Sequence, residues 1–331
     1  MLVSVIVPTY RRPDLVRRCY DSVVAQQHRP LEFVITDDAS GDDTPAAVAA
    51  LPSADGVLVR FIQQPGNRGV SAARNVAIRA STGEVLAFLD SDDVWFPDHL
   101  ASLMPILQSG KADIVYARGD MRATPDQPTT GSEYGPTEME EHQLSRCLYL
   151  NNPVLPSVTI MTRTAFKRLG WFDEDPDIQH AEDWDLFLRA AQAGLRFQHL
   201  RQATGIYVVP EKMPLEKRLM MLRRGLHCLE KNRDHPHCPP DERLLSRGYY
   251  LLYLSALLPL DQSAEAILIF RRLLTLGTSD PRLFLAGLMG IISSSMPVSC
   301  IRSVARKVNH RLLRGLRVKH RTLRGLADIH A

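Results

Sequence analysis

The chain has 331 residues, enough for about two domains at roughly 150 residues each. Its composition, 45% hydrophobic and 23% charged, is that of a globular protein and excludes wholesale disorder. The 40 Lys and Arg against 37 Asp and Glu leave a net charge of +3, yet nine of those bases and no acid lie between Arg302 and Arg324, so a mildly acidic body carries a basic tail.

Five cysteines, Cys19, Cys147, Cys228, Cys238 and Cys300, lie far apart without a CxxC pair. They suggest neither a zinc ribbon nor a disulfide framework and fit a reducing, cytoplasmic compartment. The apolar run at 2–7 has no basic residue before it and is too short for a signal peptide. No early segment approaches the ~20 apolar residues of a membrane span.

The first half alternates strand and helix patterns. Apolar β-branched runs at 2–7, 31–36, 57–62 and 85–89 read as strands. Between them, 13–24, 44–51 and 71–80 carry helical spacing, the first opened by Pro13 and the last flanked by Gly69 and Gly83. Short apolar strands alternating with helices imply βαβ units and a largely parallel sheet, whose ligands bind beyond the carboxyl ends of the strands. Further strands are expected at 113–116 and 158–161, a Thr-, Pro- and Gly-rich surface loop at 118–136, and helices at 164–170 and 181–193. Past Pro210 the chain turns to Leu-, Arg- and Met-rich helical stretches, which divides it into 1–210 and 211–331.

Four groups of residues could carry chemistry. Asp90-Ser91-Asp92-Asp93 follows the apolar run 85–89. On an extended backbone Asp90 and Asp92 share one face and Asp93 takes the other. Two adjacent carboxylates repel unless a cation, a proton or donors compensate them, and Mg²⁺ or Mn²⁺ is the natural cation. The structural alternative is a turn that caps the helix beginning near Pro97. Asp37-Asp38 ends the second strand, where a carboxylate can accept from a base N–H or a ribose hydroxyl; Asp42 and Asp43 read as an Asx-turn and helix cap. Asn67-Arg68-Gly69-Val70-Ser71-Ala72-Ala73-Arg74 puts small residues at a helix start, where a diphosphate can approach backbone N–H groups. Taken alone, Arg74 reads as a solvent-exposed helical side chain. Glu182, Asp183 and Asp185 surround Trp184 at another helix start. The helix dipole favours such acids, but one of them near an acceptor hydroxyl could act as general base.

The segments SVIVPTY, DDASGDDT, NRGVSAARN, GEVLAFLDSDD and AEDWDLFLR occur in this order over about residues 2–209. Together they closely resemble the family 2 glycosyltransferases of GT-A fold. The resemblance implies a Rossmann-like α/β domain over 1–210, with a mostly parallel sheet flanked by helices. It implies that Pro8, Thr9, Tyr10, Asp38 and Arg74 contact base and ribose, and that Asn67 and Gly69 join the donor-binding set. It further implies that Asp92 binds the Mn²⁺ or Mg²⁺ directly with Asp90 nearer the ribose, and that Asp183 is the base with Glu182 beside it. The implied reaction is inverting transfer from a nucleotide-sugar, a UDP-sugar being the expected donor, to a glycan or lipid-linked acceptor in bacterial surface-polysaccharide synthesis.

Two features depart from the family. Its YRxH-like segment is replaced by Ile206-Tyr207-Val208-Val209-Pro210-Glu211-Lys212, and the QxxRW motif of processive synthases is missing, which favours single-sugar addition. A nucleotidyltransferase would carry a Gly-rich phosphate loop near the N-terminus, and SVIVPTYRRP has no glycine. A dinucleotide dehydrogenase would show GxGxxG after the first strand. A degenerate transferase that binds nucleotide-sugar without turnover is favoured only by the altered 206–212 segment. Residues 283–301 contain no charge, but their serines and proline weaken a spanning reading. The basic amphipathic pattern at 299–326 suits an anionic membrane surface, or else an ordinary packed helix, and lacks the aromatic interleaving expected for nucleic acid. The expected location is therefore cytoplasmic, peripheral on the inner membrane face.

Overall fold

The computed structural model describes residues 1–149, 151–210 and 213–233, which fall into the compact unit Met1–Pro210 and the described stretch of a second unit. In the first unit β1 (Val3–Thr9), α1 (Pro13–Val24), β2 (Leu31–Asp37), α2 (Thr44–Ala49), β3 (Val57–Gln63), α3 (Val70–Ala80) and β4 (Val85–Phe88) follow the alternation read from the sequence. β1, β2 and β4 are buried at every position because both faces of the sheet are covered. Val5, Val7, Phe33 and Ile35 pack with Val16, Cys19, Tyr20 and Val23 of α1 on one side. Ile6, Val34, Leu86 and Phe88 meet Ala77 and Ile78 of α3 on the other.

The chain continues through β5 (Val94–Trp95), α4 (His99–Gln108), β6 (Ile114–Arg122), β7 (Glu133–Tyr134), α5 (Glu138–His142) and α6 (Leu144–Cys147). A 3-10 turn at Pro156–Val158 leads into β8 (Thr159–Thr162), α7 (Arg163–Leu169), α8 (Glu182–Gln192) and β9 (Phe197–Val208). The described strands form one sheet in the order β3-β2-β1-β4-β8-β6-β9-β5, with β7 on β6. β1 to β4, β6 and β9 run one way, and β5, β7 and β8 run against them. The sheet is thus mostly parallel. The described part of the second unit contains α9 (Leu215–Asn232).

The expected surface loop at 118–136 is shorter than the sequence suggests. β6 runs on to Arg122 because its polar residues pair with β9, after a register shift at Ala117/Arg118, and because Arg122 and Asp120 form an ion pair at 2.6 Å. β9 escaped the sequence pattern for the same reason: a 12-residue strand whose register shifts midway shows no clean alternation. The stretches 283–301 and 299–326, together with Lys212, lie outside the described residues. Among the described residues no helix is long and apolar enough to cross a membrane.

Candidate active site

The carboxyl ends of β1, β2 and β4 lie side by side, since Thr9 stands opposite Asp37, Asp38 N–H donates to Thr9 O at 2.9 Å and Leu89 N–H to Ile6 O at 3.1 Å. Beyond them three non-glycine residues adopt left-handed backbone: Arg11 (φ 52°), Ala39 (φ 59°) and His180 (φ 67°). Such strain concentrates where a fold must aim side chains at a site.

At the β1 corner Pro8 pairs with Thr36, Thr9 is buried and Tyr10 is exposed with the Arg11 guanidinium 5.1 Å over its ring. Arg11 N–H donates to Ser40 Oγ at 2.7 Å and Arg12 N–H to Thr44 Oγ1 at 3.1 Å. This fixes the corner against the loop after β2. The Arg12 guanidinium then reaches Asp92 at 2.6 Å.

Asp38 is buried, and its carboxylate holds the turn before α3. Oδ1 accepts from Gln64 Nε2 at 2.7 Å and Arg68 N–H at 2.8 Å, and Oδ2 from Gly69 N–H at 2.7 Å. Asn67 Nδ2 donates to the Asp38 carbonyl at 3.3 Å. Burial still pushes the Asp38 carboxyl above its ordinary value, against the pull of the two N–H donors. Gly69 has φ +90°, and a Cβ there would collide with the Gln179 amide. Asp42 forms the expected Asx-turn, Oδ1 accepting from Thr44 N–H at 2.9 Å, whereas Asp43 makes no side-chain cap.

Residues 90–93 form a turn closed by Asp93 N–H to Asp90 O at 3.0 Å, not the extended backbone assumed from sequence. The division of the carboxylates nevertheless holds. Asp90 and Asp92 keep about a third of each side chain exposed (33% and 30%), while Asp93 is buried. Asp93 accepts from Ser157 Oγ at 2.5 Å and from Val208 N–H at 2.8 Å, tying this turn to the starts and ends of β8 and β9. Burial, then the charges of Asp92 and Asp90, push its carboxyl well above the usual range. None of these acids caps α4, whose N-cap Asp98 makes no side-chain capping bond either and accepts instead from Gln202 Nε2.

Arg74 is not the exposed side chain a lone helical arginine suggests. It is buried at the centre of the cluster, donating to Asp90 Oδ1 and Glu182 Oε1, each at 2.5 Å, over the Phe172 ring. Both carboxylates raise its pKa against the opposing effect of burial. Asp183, one residue along α8, accepts from Asn152 Nδ2 at 3.0 Å. Burial, then Glu182, lift its carboxyl to about 7. That is the range in which a carboxylate works best as a general base. Asp185 instead pairs with Arg189 one turn on, at 2.7 Å.

The geometry therefore brings Asp90, Arg74, Glu182 and Asp183 into one cluster with Asp92 beside it, and Asp38, Asn67 and Gly69 into the neighbouring turn. Asp90 and Asp92 offer hard carboxylate oxygens to the solvent side, the donor type that Mg²⁺ and Mn²⁺ take, so these residues fit such an ion. Arg12, Ser157 and Asn152 were not singled out by sequence. Arg12 stood in the PTYRRP corner and could have been; Ser157 and Asn152 act through contacts 64 and 31 residues distant, which no local pattern records.

The family model described as "Glycosyl transferase family 2" matches residues 4–170. The succinoglycan biosynthesis protein ExoO of Rhizobium meliloti is 39% identical over 112 residues, 34% of this chain and 31% of that protein. The chain spans about a third of the length of the first curated relatives it matches. The Escherichia coli UDP-Glc:alpha-D-GlcNAc-diphosphoundecaprenol beta-1,3-glucosyltransferase WfaP is 26% identical over 208 residues, 63% of this chain and 77% of that protein. A mannosyltransferase from Pyrobaculum calidifontis, solved with GDP-Man and Mn²⁺, superposes with a TM-score of 0.59 at 21% identity, covering 96% of this chain and 88% of the other. The fold is thus GT-A. With half of its length under the family model and the motif residues gathered at one sheet edge, the chain belongs to glycosyl transferase family 2.

Proposed function

We propose that the chain is a metal-dependent, inverting glycosyltransferase that moves a sugar from a nucleotide-sugar, a UDP-sugar in the first instance, to an acceptor hydroxyl of a glycan or lipid-linked substrate. The observation that carries this reading is the Asp90–Arg74–Glu182 ion-pair chain, which sets Asp183 at the same sheet edge as Asp92. Pro8, Thr9, Tyr10, Asp38, Asn67, Gly69 and Arg74 line the base and ribose side. Asp92, with Asp90 nearer the ribose, would hold Mg²⁺ or Mn²⁺, which when bound supplies Lewis-acid stabilisation of the departing nucleoside diphosphate. Arg74, its positive charge held by the two carboxylates that flank it against the effect of burial, adds a preorganised field at that edge. Asp183 accepts the proton of the acceptor hydroxyl as that oxygen attacks the anomeric carbon from the face opposite the leaving group. One carboxylate suffices for this inversion, whereas hydrolysis uses two.

The Escherichia coli relative, named for a UDP-Glc donor and a diphosphoundecaprenol acceptor, supports the substrate classes, and the neighbour solved with Mn²⁺ supports the cation. The reading includes the domain division taken from the sequence pattern, with a catalytic part at 1–210 and an extension at 211–331 whose sequence has helical spacing. The basic residues between Arg302 and Arg324 support peripheral attachment to an anionic membrane from the cytoplasmic side. Deleting 299–331 should then release the protein from anionic liposomes in flotation; unchanged flotation refutes the attachment. The central test is Asp183→Asn, which should abolish transfer while leaving the thermal shift by nucleotide-sugar and Mn²⁺ nearly intact. Normal turnover in that variant refutes the reading.

A further inference from the structure

The segment before β8 is fastened along α8 by several side chains. Trp184 Nε1 donates to Leu148 O at 2.5 Å, Gln192 Nε2 to Tyr149 Oη at 2.9 Å, and Asn152 Nδ2 to Asp183 Oδ2 at 3.0 Å. The Asn152 carboxamide has its orientation fixed at both ends. Its Oδ1 accepts from Val154 N–H at 3.1 Å, so its NH₂ must face the carboxylate, and its backbone carbonyl accepts from the Tyr134 hydroxyl. An amide locked this way can only donate toward Asp183.

We propose that Asn152 is a positioning residue for Asp183: its amide N–H holds Oδ2 and so aims the other carboxylate oxygen at the acceptor hydroxyl. This inference rests on the reading of Asp183 as the base. The groups that face Asp183 come from several elements: Glu182 beside it, Arg74 of α3, Asp90 after β4, Tyr134 of β7, Tyr207 of β9 and the Trp184 backbone N–H. Arg74 is committed to Asp90 and Glu182, so Asn152 is the neutral side-chain donor on Asp183 among the described residues. A donor to a carboxylate favours the anion and sets the direction of its lone pairs. Its loss should therefore raise the proton affinity of the base and misdirect it, without touching the nucleotide side.

The test compares the full-length protein with Asn152→Ala, with Asn152→Asp, which keeps the shape and the acceptor for Val154 N–H, and with Asp183→Asn. The carboxyl signal of Asp183, labelled with ¹³C-aspartate and assigned by its loss in Asp183→Asn, should titrate at least half a pH unit higher in Asn152→Ala and higher still in Asn152→Asp. UDP release from UDP-glucose and UDP-N-acetylglucosamine, with water as acceptor, should fall at least tenfold in kcat, with donor KM within twofold and the acid limb of the profile moved up in pH. An unmoved titration, or an unchanged kcat, overturns the inference alone when Asp183→Asn is inactive. Wild-type release by Asp183→Asn overturns the base assignment and this inference with it.

Discussion

Arg74 and Glu182, 108 residues apart in sequence, meet at 2.5 Å with both side chains almost wholly removed from solvent. Arg74 Nε and Glu182 Oε2 have no hydrogen-bond partner among the described residues, so Glu182 depends on Arg74 for compensation, while Arg74 is shared between Glu182 and Asp90. Breaking such a pair by removing one member costs about 3–5 kcal/mol, whereas replacing both by apolar groups is often close to neutral. Arg74→Met should therefore destabilise the protein by about 3 kcal/mol, and Arg74→Met/Glu182→Met should recover much of the loss. Urea denaturation of the singles and the double closes this cycle; a double variant as unstable as the sum of the singles contradicts it.

Folding raises the Asp183 carboxyl to about 7, chiefly through burial and then through Glu182. The folded state then binds this proton more tightly than the unfolded chain, whose carboxylate titrates at about 3.9. Stability from the site is full below the unfolded value and is lost as pH climbs to about 7. Asp183→Asn removes that loss. Its melting temperature should exceed wild type at pH 8 by a few degrees, about 1–3 kcal/mol, and differ little at pH 4. Calorimetry at both pH values decides; equal differences at the two would sink the argument.

Gly69 is required twice, once by its left-handed φ and once by the Gln179 amide where a Cβ would stand. Gly69→Ala should cost about 1–3 kcal/mol. Gln179→Ala in the same chain removes the collision and leaves the backbone strain, so the pair should be more stable than Gly69→Ala alone. Equal stability would show that the clash contributes nothing.

Stabilisation by a nucleotide-sugar follows mass action. With UDP-, GDP-, dTDP- and CMP-sugars, a thermal shift should appear with Mn²⁺, vanish with EDTA and return on adding the metal back. Asp92→Asn should abolish the metal-dependent part. A shift of full size in EDTA would remove the cation from the proposed function.

The first four strands and their helices are legible because each strand is a short run rich in apolar residues and each helix is punctuated by Pro or Gly. The outward placement of Asp90 and Asp92 was reached through a wrong backbone, since a turn and an extended strand happen to sort these three acids alike. Arg74 shows where local reading ends: its helix predicts exposure, and its burial comes from a partner in α8 that only the fold brings near. Asp38 stands out at a strand end as an acceptor for a base or ribose, but its carboxylate grips backbone N–H groups of residues 68 and 69, whose positions depend on how the turn after β3 closes. β9 was obscured by its bulge, and Asn152 by the lack of any repeating pattern around it.

β8 runs against both of its neighbours, so the chain arrives at the ligand edge just before this strand and leaves that edge just after β4. Ser157, at the point of arrival, is the rivet: it receives the Asp90 N–H at 3.1 Å and gives its own proton to Asp93. Upstream of that rivet, Asn152 reaches Asp183 of α8, while downstream of β4 Asp93 is held by the same Ser157. The reversal of β8 thus lets one hydroxyl clamp the acidic turn after β4 to the chain that delivers Asn152 to the base.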